Sequence, residues 1–209
     1  MSNSNFAGTK TFRLTGMALL IAIIALMAFT PLGYLKTAGV EITFILIPVI
    51  IGSIIFGPGA GAVLGAAFGA TSFIQCFGMS PFGATLLNIN PFYTFLLCMV
   101  PRILMGWLTG LIFKALHKID KTKLISYAAA NLSGALLNTV MFTGLLMMMF
   151  WRTPYIQGIA DSLGAKSIFA FVIAFVGLNG LVEAIVCFVA GTAVSKALAL
   201  FLDKLKVRA

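Results

Sequence analysis

Acidic residues are scarce in this chain. Asp and Glu together number 5 among 209 residues, and charged residues of both signs make up only 9%. A soluble domain carries about 25% charged and about 45–50% apolar residues. Here apolar residues reach 61%, so too little polar surface exists to cover a soluble globule. A soluble enzyme or a nucleic-acid-binding domain is excluded. Histidine is nearly absent: His117, beside Lys118, is the single one. That leaves no His–Glu cluster for a metal and no Ser–His pair inside a span. The three cysteines, Cys76, Cys98 and Cys187, lie in apolar surroundings without a CxxC pattern and read as buried thiols. No GxxxxGK[ST] occurs, so the chain binds no ATP through a P-loop. The run from Gly57 to Gly61 is a turn entering an apolar segment rather than a dinucleotide fingerprint. No cofactor is expected. The chain shows no strong internal repeat, which argues against a self-sufficient secondary transporter built of two related halves.

What is present is a series of long apolar stretches. A spanning helix needs about 20 residues, so five to seven fit. The reading is an all-α integral membrane protein with six transmembrane helices in one domain, residues 14–202, between a tail of residues 1–13 and a basic tail of residues 203–209. The spans run roughly Leu14 to Phe29, Phe44 to Phe56, Ala60 to Phe77, Pro91 to Leu116, Leu124 to Phe150 and Ser167 to Leu202. The first follows a polar tail and exceeds the usual signal-peptide core, so it is expected to remain as a span. Segments 30–43, 78–90 and 151–166 are expected as loops. The second span is short and contains Pro48, and only Gly57-Pro58-Gly59 divides it from the third.

Net charge is +9, and its distribution sets the orientation. With both termini cytoplasmic, Lys10, Arg13, Lys114, Lys118, Lys121, Lys123, Lys196, Lys204, Lys206 and Arg208 lie inside. Lys36, Arg152 and Lys166 lie outside, and Arg102 sits within a span. Cytoplasmic loops gather Lys and Arg, so this asymmetry points to cytoplasmic termini and an even span number.

Ionisable groups inside the bilayer are costly and mark function by default. Arg102 in the fourth span and Glu183 in the sixth are both near mid-depth. Two readings follow: a buried ion pair tying the two spans together, or a cavity in which the Arg fork holds a carboxylate. Asn131 and Asn138, seven apart, share a helix face, as do Asn179 and Glu183, four apart. These five groups could form one polar patch, although interhelical hydrogen bonding alone also accounts for membrane asparagines. Tyr34, Asn88, Asn90, Tyr93 and Trp151 stand at the outer span ends, as an aromatic belt or a lid. Ala18 and Ala22 form a small-xxx-small pair, and Gly61, Gly65 and Gly69 a longer stripe, suited to close packing within the fold or against another subunit.

Taken in order, these segments resemble a known family. Ile47-Pro48-Val49-Ile50-Ile51-Gly52, Phe56-Gly57-Pro58-Gly59-Ala60-Gly61-Ala62, Gly65 and Phe68-Gly69 are similar to the second and third spans of the substrate-binding S components of energy-coupling factor (ECF) vitamin transporters. Pro101-Arg102-Ile103-Leu104-Met105-Gly106, Asn138 and Asn179-Gly180-Leu181-Val182-Glu183-Ala184 resemble the later spans. The resemblance implies an S-component-like six-helix bundle in the bacterial plasma membrane, embedded in membrane lipid. It implies no catalysis and no nucleic acid. One vitamin would be captured from outside and passed inward with a transmembrane coupling protein and two cytoplasmic ATPases. Ala18 and Ala22 would meet the coupling protein. The expected substrate-binding residues are Tyr34, Asn90, Tyr93, Arg102, Asn138, Asn179 and Glu183. Thr30-Pro31-Leu32-Gly33-Tyr34 looks most like the pantothenate-type branch. Riboflavin, folate or a pyrimidine or pyridine vitamin precursor remain alternatives, as does a membrane scaffold without transport.

Overall fold

A computed structural model describes the backbone of residues 10–30, 33–37, 40–120 and 124–208; the side chains of 34–37, 40–42, 176, 178, 179 and 203–208 are not described. The architecture is helical: α1 (Lys10–Phe29), α2 (Leu46–Phe56), α3 (Pro58–Gln75), α4 (Pro81–Ile89), α5 (Pro91–His117), α6 (Ile125–Phe150), α7 (Pro154–Ser162), α8 (Ile168–Val186) and α9 (Thr192–Arg208). Among the described residues, four helical segments are long and apolar enough to cross a membrane: Lys10–Phe29, Pro91–His117, Ile125–Phe150 and Gly180–Leu202. This is a helical membrane protein.

The exception to helix is a hairpin between α1 and α2. Strands β1 (Tyr34–Thr37) and β2 (Val40–Thr43) pair antiparallel, with Tyr34 opposite Thr43 and Lys36 opposite Glu41. Tyr34, Thr37, Val40, Ile42 and Thr43 are aromatic or β-branched and favour strand over helix. The segment expected as a plain loop is therefore a small ribbon, and its second strand packs on α8.

Two further connecting segments fold as short helices instead of loops. In α4 the hydroxyl of Ser80 accepts from Gly83 N, and Pro81 occupies the first turn. In α7 the hydroxyl of Thr153 accepts from Ile156 N, and Pro154 follows it. A hydroxyl cap before a first-turn proline is a helix start, because the proline lacks the N–H that would otherwise be orphaned. The last apolar stretch is one continuous helical run, but Cys187–Gly191 forms a π-type turn between α8 and α9.

The core is built around α2. It is only 11 residues long, and Leu46, Pro48, Val49, Ile50, Ile51, Gly52, Ser53 and Ile54 are all buried. At 1.5 Å per residue it reaches roughly 16 Å, about half the hydrocarbon thickness. It packs on α1, α3, α5, α6 and the π-type turn. One apolar cluster gathers Ile24, Val49, Ile50, Leu64, Phe68, Met105 and Cys187. A second gathers Leu86, Leu97, Leu146, Phe150, Ile156 and Phe171.

The glycine stripe of α3 packs within the fold. A Cβ on Gly61 would strike Gly106 O, one on Gly65 would strike Arg102 O, and one on Gly69 would come within 2.8 Å of Cys98 O. The backbones of α3 and α5 thus lie directly against each other, and the serine hydroxyl of Ser53 donates to Gly106 O at 2.8 Å. By contrast, Ala18 and Ala22 are exposed on α1, together with Leu14, Leu19 and Leu26. The opposite stripe of α1, including Ile24 and Ala28, is buried.

Candidate functional site

Ring contacts identify one end of the bundle. Tyr93 near the start of α5 lies edge-on to Phe150 at the end of α6, with centroids 6.2 Å apart. Trp151 meets Phe171 of α8 at 5.7 Å, Phe171 stacks on Phe175 at 5.1 Å, and Phe82 of α4 reaches Phe175 at 5.8 Å. Below this aromatic layer lie the polar residues. Arg102 is eleven residues into α5, Asn138 twelve from the end of α6 and Glu183 fifteen into α8. At 1.5 Å per residue these are depths of roughly 17, 18 and 22 Å.

Arg102 is placed by its own helix and by two rings. Pro101 lies inside α5 and has no N–H to give to the carbonyl four residues earlier, which is Leu97 O. The guanidinium Nη1 of Arg102 donates to that same Leu97 O at 2.8 Å. The guanidinium carbon stands 4.6 Å from the centroid of Phe142 on α6 and 5.5 Å from that of Phe68 on α3. Cation–π contact of this kind is worth about 2 kcal/mol when desolvated. The residue that completes the helix at a proline is therefore also a charge held between aromatic faces of two neighbouring helices.

Phe142 is one turn from Asn138, so Asn138 shares the face of α6 that receives Arg102. The Oδ1 of Asn138, the Oγ1 of Thr143 and the Oε1 of Glu183 are buried without a hydrogen-bond partner among the described residues. Arg102 lies within electrostatic reach of Glu183, but the two form no direct ion pair among the described residues. Buried acceptors without donors are unusual in a native interior. Of the three, Glu183 lies within electrostatic reach of Arg102, and Asn138 and Thr143 lie on α6, whose Phe142 covers the guanidinium; Thr109, Asn131 and Thr192 carry further unpartnered buried oxygens among the described residues.

The other expected residues separate. Asn90 caps α5: its Oδ1 accepts from Phe92 N and Tyr93 N, each at 3.1 Å. Tyr93 is 40% exposed at the aromatic end of the bundle. The side chains of Tyr34 and Asn179 lie outside the described residues; the backbone of Tyr34 is in β1 and that of Asn179 in α8. Asn131 does not join the patch. Its Nδ2 donates to Tyr127 O at 2.9 Å and to Ser195 Oγ on α9 at 3.3 Å, which makes it a tie between helices. Thr143 carries no sequence signal of its own, and Phe68 carries only the family resemblance of Phe68-Gly69, which says nothing of a site role. Phe142 carries one, since it follows Asn138 by one turn. Cys76 and Cys98 approach to 3.9 Å between sulfurs, and all three cysteines are free and buried.

Comparison with known proteins gives the family. The chain matches a relative described as the pantothenic acid transporter PanT of Lactococcus lactis subsp. cremoris (strain MG1363), at 29% identity over 169 residues, covering 76% of this chain and 78% of the relative. The model of the family described as ECF transporter, substrate-specific component, matches residues 12–194. That family is one of transporter components and not an enzyme class. Because the match takes in nearly every element from α1 through the π-type turn, the chain belongs to the substrate-specific components of ECF transporters.

Proposed function

We propose that this chain is the capture subunit of an ECF importer and that its substrate is pantothenate. It spans the bacterial plasma membrane six times with both termini in the cytoplasm. It binds the vitamin from outside and delivers it inward together with a transmembrane coupling protein and two cytoplasmic ATPases. The observation that carries the reading is a guanidinium held between Phe68 and Phe142, together with buried acceptors at similar depth on α6 and α8: Asn138, Thr143 and Glu183. A carboxylate suits the guanidinium fork. Hydroxyl and amide N–H groups suit acceptors that lack donors. Pantothenate carries one carboxylate, two hydroxyls and an amide. The PanT relative favours the same ligand. Tyr93 stands at the mouth, and Tyr34 and Asn179 complete the site from the hairpin and α8. The exposed Ala18–Ala22 face of α1 is where the coupling protein docks.

The test is to purify the chain in detergent, identify co-purified small molecules by mass spectrometry and titrate pantothenate calorimetrically. The expected result is about one pantothenate per chain, with riboflavin and folate giving no heat. A different vitamin bound at that ratio would retain the capture role and replace the substrate. No binding across the vitamin panel would remove the capture reading and leave the cluster as a packing feature.

A further inference from the structure

A cavity lies at the opposite end of the bundle from the aromatic layer, between the α2–α3 turn and the last turns of α5. It is a cleft of about 420 Å³. Its apolar wall is made by Ile54, Ile55, Phe56 and Phe113. Lys114, His117 and Lys118 line its rim, and among the described residues no acidic one does. Both lysines are exposed. His117 is anchored: it stacks on Phe113 at 4.8 Å, and its Nδ1 lies 3.0 Å from Ser126 Oγ. The nearest acid in sequence, Asp120, uses Oδ2 to accept from Ser126 N at 2.7 Å.

The back of the cleft is closed by close packing. A Cβ on Gly110 would stand 2.6 Å from Pro58 Cα. In front, α3 begins at Pro58 behind Gly57, which has no side chain to cap the first-turn amides and opens onto empty space. The positive end of the α3 dipole thus faces the same cavity as the two lysines. Lysines at a cytoplasmic helix end need no ligand to explain them. An apolar pocket closed on one side and edged on the other by two lysines at the end of α5 does call for an occupant that is apolar in one part and anionic in the other. Basic pockets between membrane helices bind anionic headgroups.

We propose that this cleft is a binding site for one anionic phospholipid, with acyl chain against Ile54, Ile55, Phe56 and Phe113 and the headgroup phosphate between Lys114 and Lys118. It is separate from the substrate cluster and stands independently of which vitamin is captured.

The test uses the full chain, delipidated in detergent, with native mass spectrometry of lipid adducts. Dioleoyl phosphatidylglycerol is titrated against dioleoyl phosphatidylcholine. A lysine near a headgroup is worth about fivefold in affinity, so the Lys114→Gln/Lys118→Gln variant is expected to lose roughly 25-fold in phosphatidylglycerol affinity. Phosphatidylcholine binding should be unchanged. The charge-matched variant Arg152→Gln/Lys166→Gln, at the other end, is expected to behave as the parent. Glycerol phosphate at equal concentration is expected not to compete. Equal losses in the two double variants would overturn the site in favour of diffuse charge attraction. Full competition by glycerol phosphate would make it a phosphate site rather than a lipid site. Unchanged lipid preference in the cleft variant, with co-purification of the coupling protein lost, would assign the cleft to that protein and overturn the proposal.

Discussion

Gly65→Ala adds a single methyl group where α3 meets α5. The new Cβ would fall on the carbonyl oxygen of Arg102, with the Arg102 carbonyl carbon at 2.8 Å and Ile103 Cα at 3.1 Å. All three are backbone atoms, so no side chain can swing away. An ordinary carbon–oxygen contact is about 3.3 Å, and restoring it requires the helices to part by roughly 1 Å at this point. Overpacking of this kind costs about 1–3 kcal/mol. For a chain of this size each kcal/mol lowers the melting midpoint by about 2–4 °C, which gives a fall of about 2–12 °C by the same scaling. The parting also displaces the segment that holds Arg102 against Phe68, so vitamin affinity should fall in parallel. The assay is thermal unfolding of detergent-purified protein, followed by ligand titration of the folded fraction. Gly144→Ala is the control, because that glycine lies within α6 with nothing inside 4 Å of its would-be Cβ. It should match or slightly exceed the parent in stability. If Gly65→Ala melts together with Gly144→Ala and binds normally, the backbone-to-backbone contact of α3 and α5 is refuted, and with it the account of how Arg102 is positioned.

Arg102→Ala removes both the donor to Leu97 O and the cation between the rings. Stability should drop by about 1–3 kcal/mol from the orphaned carbonyl, and pantothenate binding should be lost. Normal binding by the surviving protein would make Arg102 purely structural. Asn138→Leu removes a buried acceptor that has no partner, so it should leave the melting midpoint near the parent's while weakening the vitamin about 2–12-fold, the worth of one hydrogen bond. A loss of stability without a change in affinity would contradict that assignment. Asn131→Ala should do the reverse, costing about 0.6 kcal/mol through the lost tie to Ser195 with affinity unchanged in the same titration. Ala18→Trp/Ala22→Trp should abolish co-purification with the coupling protein while vitamin binding persists, since both positions are exposed on α1; retained assembly would place the partner on another face.

The sequence by itself determined the membrane class, the order of the apolar segments and the few polar residues placed among them. Lipid imposes those features locally: a segment must be apolar over its own length, and each intruding charge stands out against that background. The segments holding Ser80-Pro81 and Thr153-Pro154 are expected from sequence as loops, and the structure shows them as capped short helices. Tertiary structure alone decided which polar groups meet. Asn131 and Asn138 share one face of α6, yet one ties to Ser195 while the other stands a turn from the ring over Arg102, because α9 packs beside the first and α5 beside the second. Phe68 entered the site through the glycine stripe that presses α3 on α5, and Cys76 met Cys98 the same way. The exposure of Ala18 and Ala22, the π-type turn beyond Glu183 and the basic cleft under the α2–α3 turn likewise depend on the rotation and register of neighbouring helices. Those are set by the packing of whole surfaces, which no single stretch of sequence contains.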